Sequence, residues 1–269
     1  MKEQLQKDFD NTVKNLSLSQ KDIEIKKFFL DSFVNRGFPN RKEEDWKFSD
    51  LSQIIKKNIG ELSFYTDYTS TNKVDTSVFV DGLEHNKIVF INGRIEKIDF
   101  DYEKKNQIEI IDQSETIDQF NNNNSLSDLN NAFTNKSFKV LIKKGYKLKK
   151  PLIIYHTTNS NIWSKNINLR LNFELDNDSS LRLIDLFKDT SEKNFLNIFY
   201  NFDLKENAIL KNYKVDRFES KNIKYSYNNI EQAKNSNSET FILSSGSNFF
   251  KNEINTNLKG EYSSAFVNG

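Results

Sequence analysis

The stretch from Val140 to Gly269 constrains the fold most, because short apolar strands return in it, each introduced by a small polar turn. Leu175 and Leu204 begin the first two copies, so these copies start 29 residues apart (204 − 175 = 29). A third copy and a looser fourth begin at Leu258 and Lys234. Recurrence on this scale is typical of stacked β-structure, in which each unit buries its apolar face against the next unit.

Alternation within the strands favours one architecture over another. From Asn168 to Leu175, apolar residues alternate with Asn, Arg and Glu, which is the period of a half-buried strand. A β-sandwich also contains short alternating strands at regular spacing. It does not need similar turn-and-strand units to return in series, whereas a β-helix does. We therefore predict a parallel β-helix, in a chain that is mainly β with an α-helical N-terminal region.

Helical patterns occupy the first part of the chain. Ser19 to Arg36 is predicted to be a helix, with Ser19 as N-cap and Gly37 just beyond its end. Its apolar face, which core packing explains, is formed by Ile25, Phe28, Phe29 and Phe33. A short helix is predicted next, with Ser49 or Asp50 as its cap. Its inner face is formed by Leu51, Ile54 and Ile55.

The middle of the chain contains a hairpin signal. Lys87 to Ile98 is predicted to form two strands around Asn92-Gly93, a dipeptide that favours hairpin turns. A strand at Gln107 to Ile111 is expected to join this hairpin, and a short helix is expected from Ser125 to Phe133. Val74, Val78 and Val80 suggest one weak strand in an otherwise irregular segment. We predict a helical region at 1–60, a linking region at 61–137 and a β-helix core at 138–269.

Charge and cysteine content exclude several classes of function. Lys+Arg 39 against Asp+Glu 38 gives a net charge of +1, which does not support a nucleic-acid or anionic-membrane surface. The chain has no Cys, so disulfides, cysteine metal sites and cysteine nucleophiles are excluded. The polar start of the chain does not resemble a signal peptide, and the sequence has no long apolar run. We expect a cytoplasmic protein.

The sequence offers few candidates for chemistry. His85 lies in a polar loop and His156 ends an apolar strand, and we interpret both as isolated histidines rather than metal ligands. Asp176, Asp178 and Asp185 could form a carboxylate cluster for calcium or glycoside hydrolysis, but ordinary turn chemistry explains them.

Two further segments have ordinary explanations. Ser244 to Ser247 lacks the features of a phosphate loop or nucleophile elbow and is predicted to be a turn between strands. The charged run Arg41 to Asp45 is predicted to be solvated or paired in salt bridges. We therefore predict no catalytic, cofactor-binding or metal-binding residue.

Several segments together resemble a known family. The run Gly37 to Leu51, with Pro39, Arg41 and Trp46-Lys47-Phe48, resembles the N-terminal signature of the SufD family of iron–sulfur assembly proteins. The later segments that resemble this family, in its order, are Ile88 to Arg94, Leu129 to Phe133, Val140 to Pro151, Leu204 to Val215 and Leu258 to Gly269.

The resemblance implies a fold and a role. SufD-like proteins have an N-terminal helical region, a right-handed parallel β-helix and a C-terminal helical region. They act as non-catalytic subunits beside a SufB-like paralogue and a SufC-like ABC-type ATPase. The expected cofactors therefore belong to the complex: an iron–sulfur cluster is assembled there and the ATPase uses ATP. The absence of Cys fits SufD better than SufB, whose assigned cluster chemistry uses cysteine.

One difference from the family pattern concerns the C-terminus. The family's β-helix continues beyond the segment that matches Ala265 to Gly269, and its interface histidine and SufC-binding helices follow. His156 falls on a different strand and does not replace that histidine. We therefore expect this sequence to be part of a longer gene product. Two alternatives stay open, a carbohydrate-active β-helix enzyme of the secreted type and a purely structural β-helix.

Overall fold

A computed structural model of the protein describes residues 2–16, 18–67, 73–113, 124–135, 137–159, 162–188, 193–216 and 220–269. The helices are α1 (Lys2–Leu16), α2 (Gln20–Arg36), α3 (Leu51–Asn58) and α4 (Ser125–Phe133), with short 3-10 turns at Glu44–Trp46 and Thr76–Val78. The strands are β1 (Ser63–Phe64), β2 (Asn86–Ile91), β3 (Arg94–Asp99), β4 (Ile108–Asp112), β5 (Ser137–Ile142), β6 (Leu152–Thr157), β7 (Lys165–Leu175), β8 (Ser180–Lys188), β9 (Phe195–Leu204), β10 (Ile209–Asp216), β11 (Ser220–Gln232), β12 (Asn237–Ser244), β13 (Ser247–Leu258) and β14 (Ser264–Asn268).

The strands form a parallel β-helix, as predicted. Successive strands from β7 to β14 alternate between two sheets. The first sheet has the order β4-β5-β7-β9-β11-β13, with β1 also paired to β7, and the second has the order β3-β2-β6-β8-β10-β12-β14. Neighbours from β5 and β6 onward pair in parallel, and antiparallel pairs occur where β4 and β3 join. Stacked parallel coils of this kind exclude the sandwich alternative.

The polar turns that the sequence repeat identified stack on one another. Asp178, Asn207 and Asn235 have φ of 62°, 60° and 57°, the left-handed region that Asn and Asp tolerate well. The amide of Asn207 donates to the Asp178 carboxylate at 2.8 Å, and that of Asn235 donates to the Asn207 Oδ1 at 3.1 Å. The backbone N–H of each of these turn residues also donates to a carbonyl of the next turn. The sequence repeat thus corresponds to a turn ladder, in which the turns of Asp178, Asn207 and Asn235 are hydrogen-bonded to one another at one end of the coils.

The interior changes character along the β-helix. The early coils are filled with apolar residues such as Leu169, Leu171 and Leu183, which are at most 3% exposed. The later coils place polar residues at equivalent inward positions, including Asn212 and Lys214 on β10, and these are also buried. Polar residues thus accompany apolar ones in the later coils, where Leu210 and Ile230 are still buried.

The N-terminal helices cover the outer face of the first sheet. Phe133 of α4 and Phe9 of α1 pack in one buried cluster with Phe195 and Phe199 of β9. Asn130 of α4 donates to two strand carbonyls, so the helix is also hydrogen-bonded to the sheet. The helix Ser125 to Phe133 predicted from the sequence is confirmed as α4.

The predicted helix after Ser19 is confirmed, but one residue of its apolar face is not buried. Ser19 accepts from the Asp22 N–H, and the Gly37 N–H donates to the Phe33 carbonyl. Phe29 and Phe33 are buried, whereas Phe28 is 68% exposed. The buried face is rotated so that Lys26 takes the inward position and Phe28 faces water.

Other local predictions have mixed outcomes. Asp50 caps α3 by accepting from the Gln53 N–H, and β2 and β3 form the predicted hairpin, with Asn92 and Gly93 at positive φ. The strand expected to join this hairpin is β4, but it pairs with β5 in the other sheet. The expected strand of Val74, Val78 and Val80 is also wrong, since Asp75 caps a 3-10 turn there. The predicted domain boundaries stay a prediction.

Candidate functional site

The most unusual feature inside the β-helix is a buried network around Asp185. Asp185 on β8 and Lys214 on β10 are partners across parallel strands, and Lys214 Nζ donates to Asp185 Oδ2 at 2.8 Å. On β6, His156 lies two residues beyond Ile154, which is the residue paired with Asp185. The His156 Nε2 is 2.7 Å from Asp185 Oδ1. Tyr200 of the opposite sheet donates from its hydroxyl to the same Oδ1 at 2.9 Å. One carboxylate therefore receives three donors.

Burial and charge determine the protonation of this network. Burial by itself would raise the pKa of Asp185, but Lys214 and His156 act in the opposite direction and hold this pKa well below its usual range. Burial, the Asp185 charge and the hydrogen bond to it raise the pKa of Tyr200 well above its usual value. Asp185 is thus an ionised acceptor and Tyr200 a neutral donor near neutral pH.

Aromatic rings enclose the polar groups. The His156 ring is stacked between Phe90 and Phe187, with ring centroids 5.5 Å and 4.5 Å away. Lys214 Nζ lies 4.6 Å from the centre of the Tyr200 ring and also donates to Ser226 Oγ at 3.2 Å. Beside His156 the free space is about 20 Å³, which is room for one water molecule and not for an organic substrate.

A second buried ion pair lies in the neighbouring layer of the interior. Lys224 Nζ on β11 lies 2.9 Å from Asp216 Oδ1 on β10, and their side chains are 1% and 4% exposed. The Lys224 ammonium also lies 4.6 Å from the centre of the Phe187 ring, the same ring that stacks on His156. Two buried cations and two buried carboxylates are therefore arranged as adjacent pairs, which limits the cost of burying each charge.

This arrangement differs from the sequence expectation for several residues. His156 is not an isolated strand-end histidine, because it belongs to the Asp185 network. His85 is not a solvated loop residue: it is 3% exposed, and its Nε2 is 2.7 Å from the Tyr155 hydroxyl. Burial lowers the pKa of His85, with the Leu83 carbonyl acting in the opposite direction. The loop containing His85 packs against the strand that carries Tyr155, which local sequence does not reveal.

The three aspartates do not form a cluster. Asp176 accepts from the Asn177 N–H and Asp178 from the Asn207 amide, as turn chemistry predicts, whereas Asp185 lies inside the β-helix. Ser244 to Ser247 connects β12 to β13, and Arg41 to Asp45 is exposed to solvent, both as predicted. In the ranges that the structure describes, no three His, Asp or Glu side chains are placed to share a metal ion.

One signal in the sequence could have revealed the network. Asp185 and Lys214 are 29 residues apart (214 − 185 = 29), the same interval that separates the turns at Leu175 and Leu204. Equal intervals place opposite charges on adjacent strands of the same sheet. His156 also lies 29 residues before Asp185 (185 − 156 = 29), but β6 pairs with β8 at an interval of 31 residues, so Ile154 and not His156 lies directly opposite Asp185.

The charged run near the N-terminus is attached to the last coils through Trp46. Trp46 is 4% exposed and lies against Tyr225 of β11 and Phe249 of β13, with ring centroids 5.9 Å and 6.4 Å away. Lys251 of β13 lies 4.9 Å from the Trp46 ring centre and donates to the Asp45 carbonyl at 2.8 Å. The run that resembles the SufD signature thus connects the N-terminal region to the β-helix.

The fold defines a β-helix protein whose interior contains two buried ion pairs, Asp185–Lys214 and Asp216–Lys224. Residues 155–269 match the family model described as "SUF system FeS cluster assembly, SufBD core domain". The matched part begins on β6 and includes β7 to β14, and therefore contains the whole Asp185 network. Over this part of the sequence the chain is similar to the SufBD core domain. The comparison with curated proteins found no match.

No helix among the described residues is both long enough and apolar enough to cross a membrane.

Proposed function

We propose that this protein is the SufD-type, non-catalytic subunit of a cytoplasmic SUF scaffold, acting with a SufB-like paralogue and a SufC-like ATPase. The observation that carries the proposal is the match of residues 155–269 to the SufBD core domain. The parallel β-helix built from β5 to β14 agrees with that match. In this role the iron–sulfur cluster is cargo of the complex, and ATP is used by the ATPase.

The amino-acid composition supports a SufD-like rather than a SufB-like chain. Thiolates are the usual protein ligands of iron–sulfur clusters, and this chain contains no Cys. A SufB-like partner would supply the cysteine chemistry that this chain lacks. The chain would then contribute shape and contact surface to the assembly.

The buried network supports a role without catalysis in this chain. The Asp185 carboxylate is occupied by donors from His156, Tyr200 and Lys214, and the space beside His156 holds no more than a water molecule. A general acid or base must reach the reacting atom of a substrate. These groups stabilise one another inside the protein.

The carbohydrate-active alternative is not favoured. Glycoside hydrolysis needs two carboxyl groups on either side of a bound sugar. Asp178 lies on an exposed turn and accepts from Asn207, while Asp185 is fully buried and paired with Lys214. These two residues therefore do not form such a pair.

Co-purification tests the proposal directly. The tagged chain is co-expressed with the SufB-like and SufC-like proteins of the same organism, with an unrelated β-helix protein as control. We expect a stable complex that contains all three chains, and none with the control. Elution of the chain alone would contradict the proposal. Deleting the gene should also lower the activity of cluster-dependent enzymes, whereas a purely structural β-helix would leave them unchanged.

A further inference from the structure

The outer face of the second sheet carries two apolar columns that run across its strands. Residues two apart on a strand point to the same face, and the register places such residues beside one another on neighbouring strands. The first column consists of Val89, Tyr155, Leu186, Val215 and Leu243. The second column consists of Ile153, Ile184, Tyr213 and Phe241. Both faces of a parallel sheet are normally covered, so these columns are expected to pack against another part of a protein.

A segment of this chain, residues 74–85, covers the columns on the early strands. Val74, Val78 and Phe79 pack against a buried apolar cluster. This cluster consists of Val89, Ile91, Ile153, Tyr155 and Leu186. The Phe79 and Tyr155 ring centroids are 5.0 Å apart, and the Val80 N–H donates to the Tyr155 hydroxyl at 3.0 Å. The covering is therefore a short irregular segment that is fixed by both apolar contacts and hydrogen bonds.

The columns continue onto β10 and β12, where they are open to solvent. Tyr213, Phe241 and Leu243 are 38%, 44% and 44% exposed. Phe266 of β14 is 57% exposed and, together with Tyr213 and Phe241, lines a recess of about 300 Å³. We call these four residues the exposed patch. Because a fully buried aromatic side chain covers about 150–250 Å², the patch leaves roughly 300–400 Å² of apolar surface, a size that often marks an interaction site.

Cations lie beside the exposed patch, on the side of the turn ladder. Arg182 of β8 neighbours Lys211 of β10, which in turn neighbours Glu239 of β12. Lys211 Nζ lies 3.1 Å from the Glu239 carboxylate, so this lysine is neutralised. Arg182 is exposed and donates to the Lys149 carbonyl at 3.1 Å, and it makes no ion pair in the part of the chain that the structure describes. Arg182 and the exposed Lys149 thus favour a partner that carries carboxylates.

The covering segment shows which side chains this outer face accepts. Asp75 and Asp81 flank its apolar residues in the sequence. The ammonium groups of Lys87 and Lys97 lie 5.8 Å and 5.6 Å from the centre of the Phe79 ring. Apolar side chains flanked by carboxylates therefore meet apolar columns that have cations beside them. The exposed patch presents the same combination and continues the same face.

The area of the exposed patch distinguishes a short segment from a whole subunit. A stable protein–protein interface buries about 800 Å² on each partner, which is roughly twice the apolar area of the patch. We propose that the exposed patch binds an extended segment of a partner protein, in which aliphatic or aromatic residues are flanked by Asp or Glu. This segment packs against β10 and β12 as residues 74–85 pack against β2 and β6.

A peptide with the sequence of residues 74–82 is a probe for this site. Its fluorescently labelled form is titrated with the full chain, and binding is followed by anisotropy. We expect saturable binding that the double variant Tyr213→Ser/Phe241→Ser weakens by at least about tenfold. The control variant is Phe48→Ser, which removes an aromatic residue that is 86% exposed outside this face and should leave binding unchanged. Absence of binding at about 1 mM peptide, or equal binding by all three chains, overturns the proposal.

Two further measurements separate the charge requirement and the alternative occupant. A peptide in which both aspartates are replaced by lysine should bind roughly threefold to tenfold more weakly, because it meets Arg182 and Lys149 with like charge. Unchanged binding of this peptide contradicts an acidic partner segment. Sedimentation velocity of the full chain tests self-association. A dimer that Phe241→Ser dissociates would make a second copy the occupant of the exposed patch and would overturn the proposal.

Discussion

Lys214 donates to Asp185 across two adjacent parallel strands, and the two side chains are 4% and 0% exposed. Breaking a buried ion pair by removing one partner leaves an uncompensated charge, which costs about 3–5 kcal/mol. We expect Lys214→Met to lower the free energy of unfolding by roughly this amount in urea titrations. The matched control is Lys211→Met on the outward face of the same strand, where the lysine is 41% exposed and its loss should cost about 0–1 kcal/mol. Equal costs for the two variants would show that the interior pair is not important for stability.

The stability of the protein should respond to acid through Asp185. Burial alone would raise its pKa, but Lys214 and His156 hold the folded-state pKa below the unfolded value of about 3.9. A group of this kind contributes stability above its unfolded pKa and loses it as the pH falls toward the folded pKa. The difference in unfolding free energy between the wild type and Asp185→Asn should therefore shrink below about pH 4. A difference that grows in acid would contradict this assignment.

Lys26 should produce a stability change at alkaline pH. Burial lowers its pKa to about 8, Asp22 acts in the opposite direction and Arg170 adds to the lowering. The unfolded chain binds more protons between about pH 8 and pH 10.4, so stability rises with pH in this window. Relative to Lys26→Met, the wild type should gain roughly 3 kcal/mol across it. Lys27→Met, which replaces a solvent-exposed neighbour, is the control and should not alter the slope.

We expect the contacts of Trp46 with β11 and β13 to hold the segment before α3 against the β-helix. Trp46→Ala removes the contacts with Tyr225 and Phe249, and losing a buried Trp side chain costs about 3–5 kcal/mol. Hydrogen exchange should show lost protection at Arg41 to Leu51, while the early strands of the β-helix stay protected. Phe48→Ala is the control, because Phe48 is 86% exposed. If both variants exchange alike, the segment is held by other contacts.

The turn ladder depends on the left-handed backbone of Asn207. Asn207 has φ of 60° and donates to Asp178. Asn207→Ala should destabilise the protein by about 1–2 kcal/mol, since Ala tolerates this conformation poorly and cannot make the side-chain hydrogen bond. Asn207→Gly restores the backbone freedom and should cost less, because it loses only the side-chain hydrogen bonds with Asp178 and Asn235. Thermal unfolding of the two variants would rank them, and the reverse order would contradict the argument.

Local signals predicted some elements well, because the residues that cause them are adjacent in sequence. Ser19 and Gly37 bound α2, Asn92-Gly93 closes the hairpin, and the repeated turns mark the coils. The outward position of Phe28 and the pairing of β4 with β5 could not be obtained this way. Both depend on which surface each element meets, and that surface comes from distant parts of the chain.

The sequence by itself determined the β-helix class, because recurring turns and alternating strands repeat in the printed chain and need no knowledge of contacts. It also showed the charge interval between Asp185 and Lys214, although not its meaning. Only the tertiary structure decided that this pair lies inside the coils and that His156 and Tyr200 complete it. Alternation places residues on one face or the other, but which face is enclosed, and what lies opposite, follows from how two sheets and the N-terminal helices pack together.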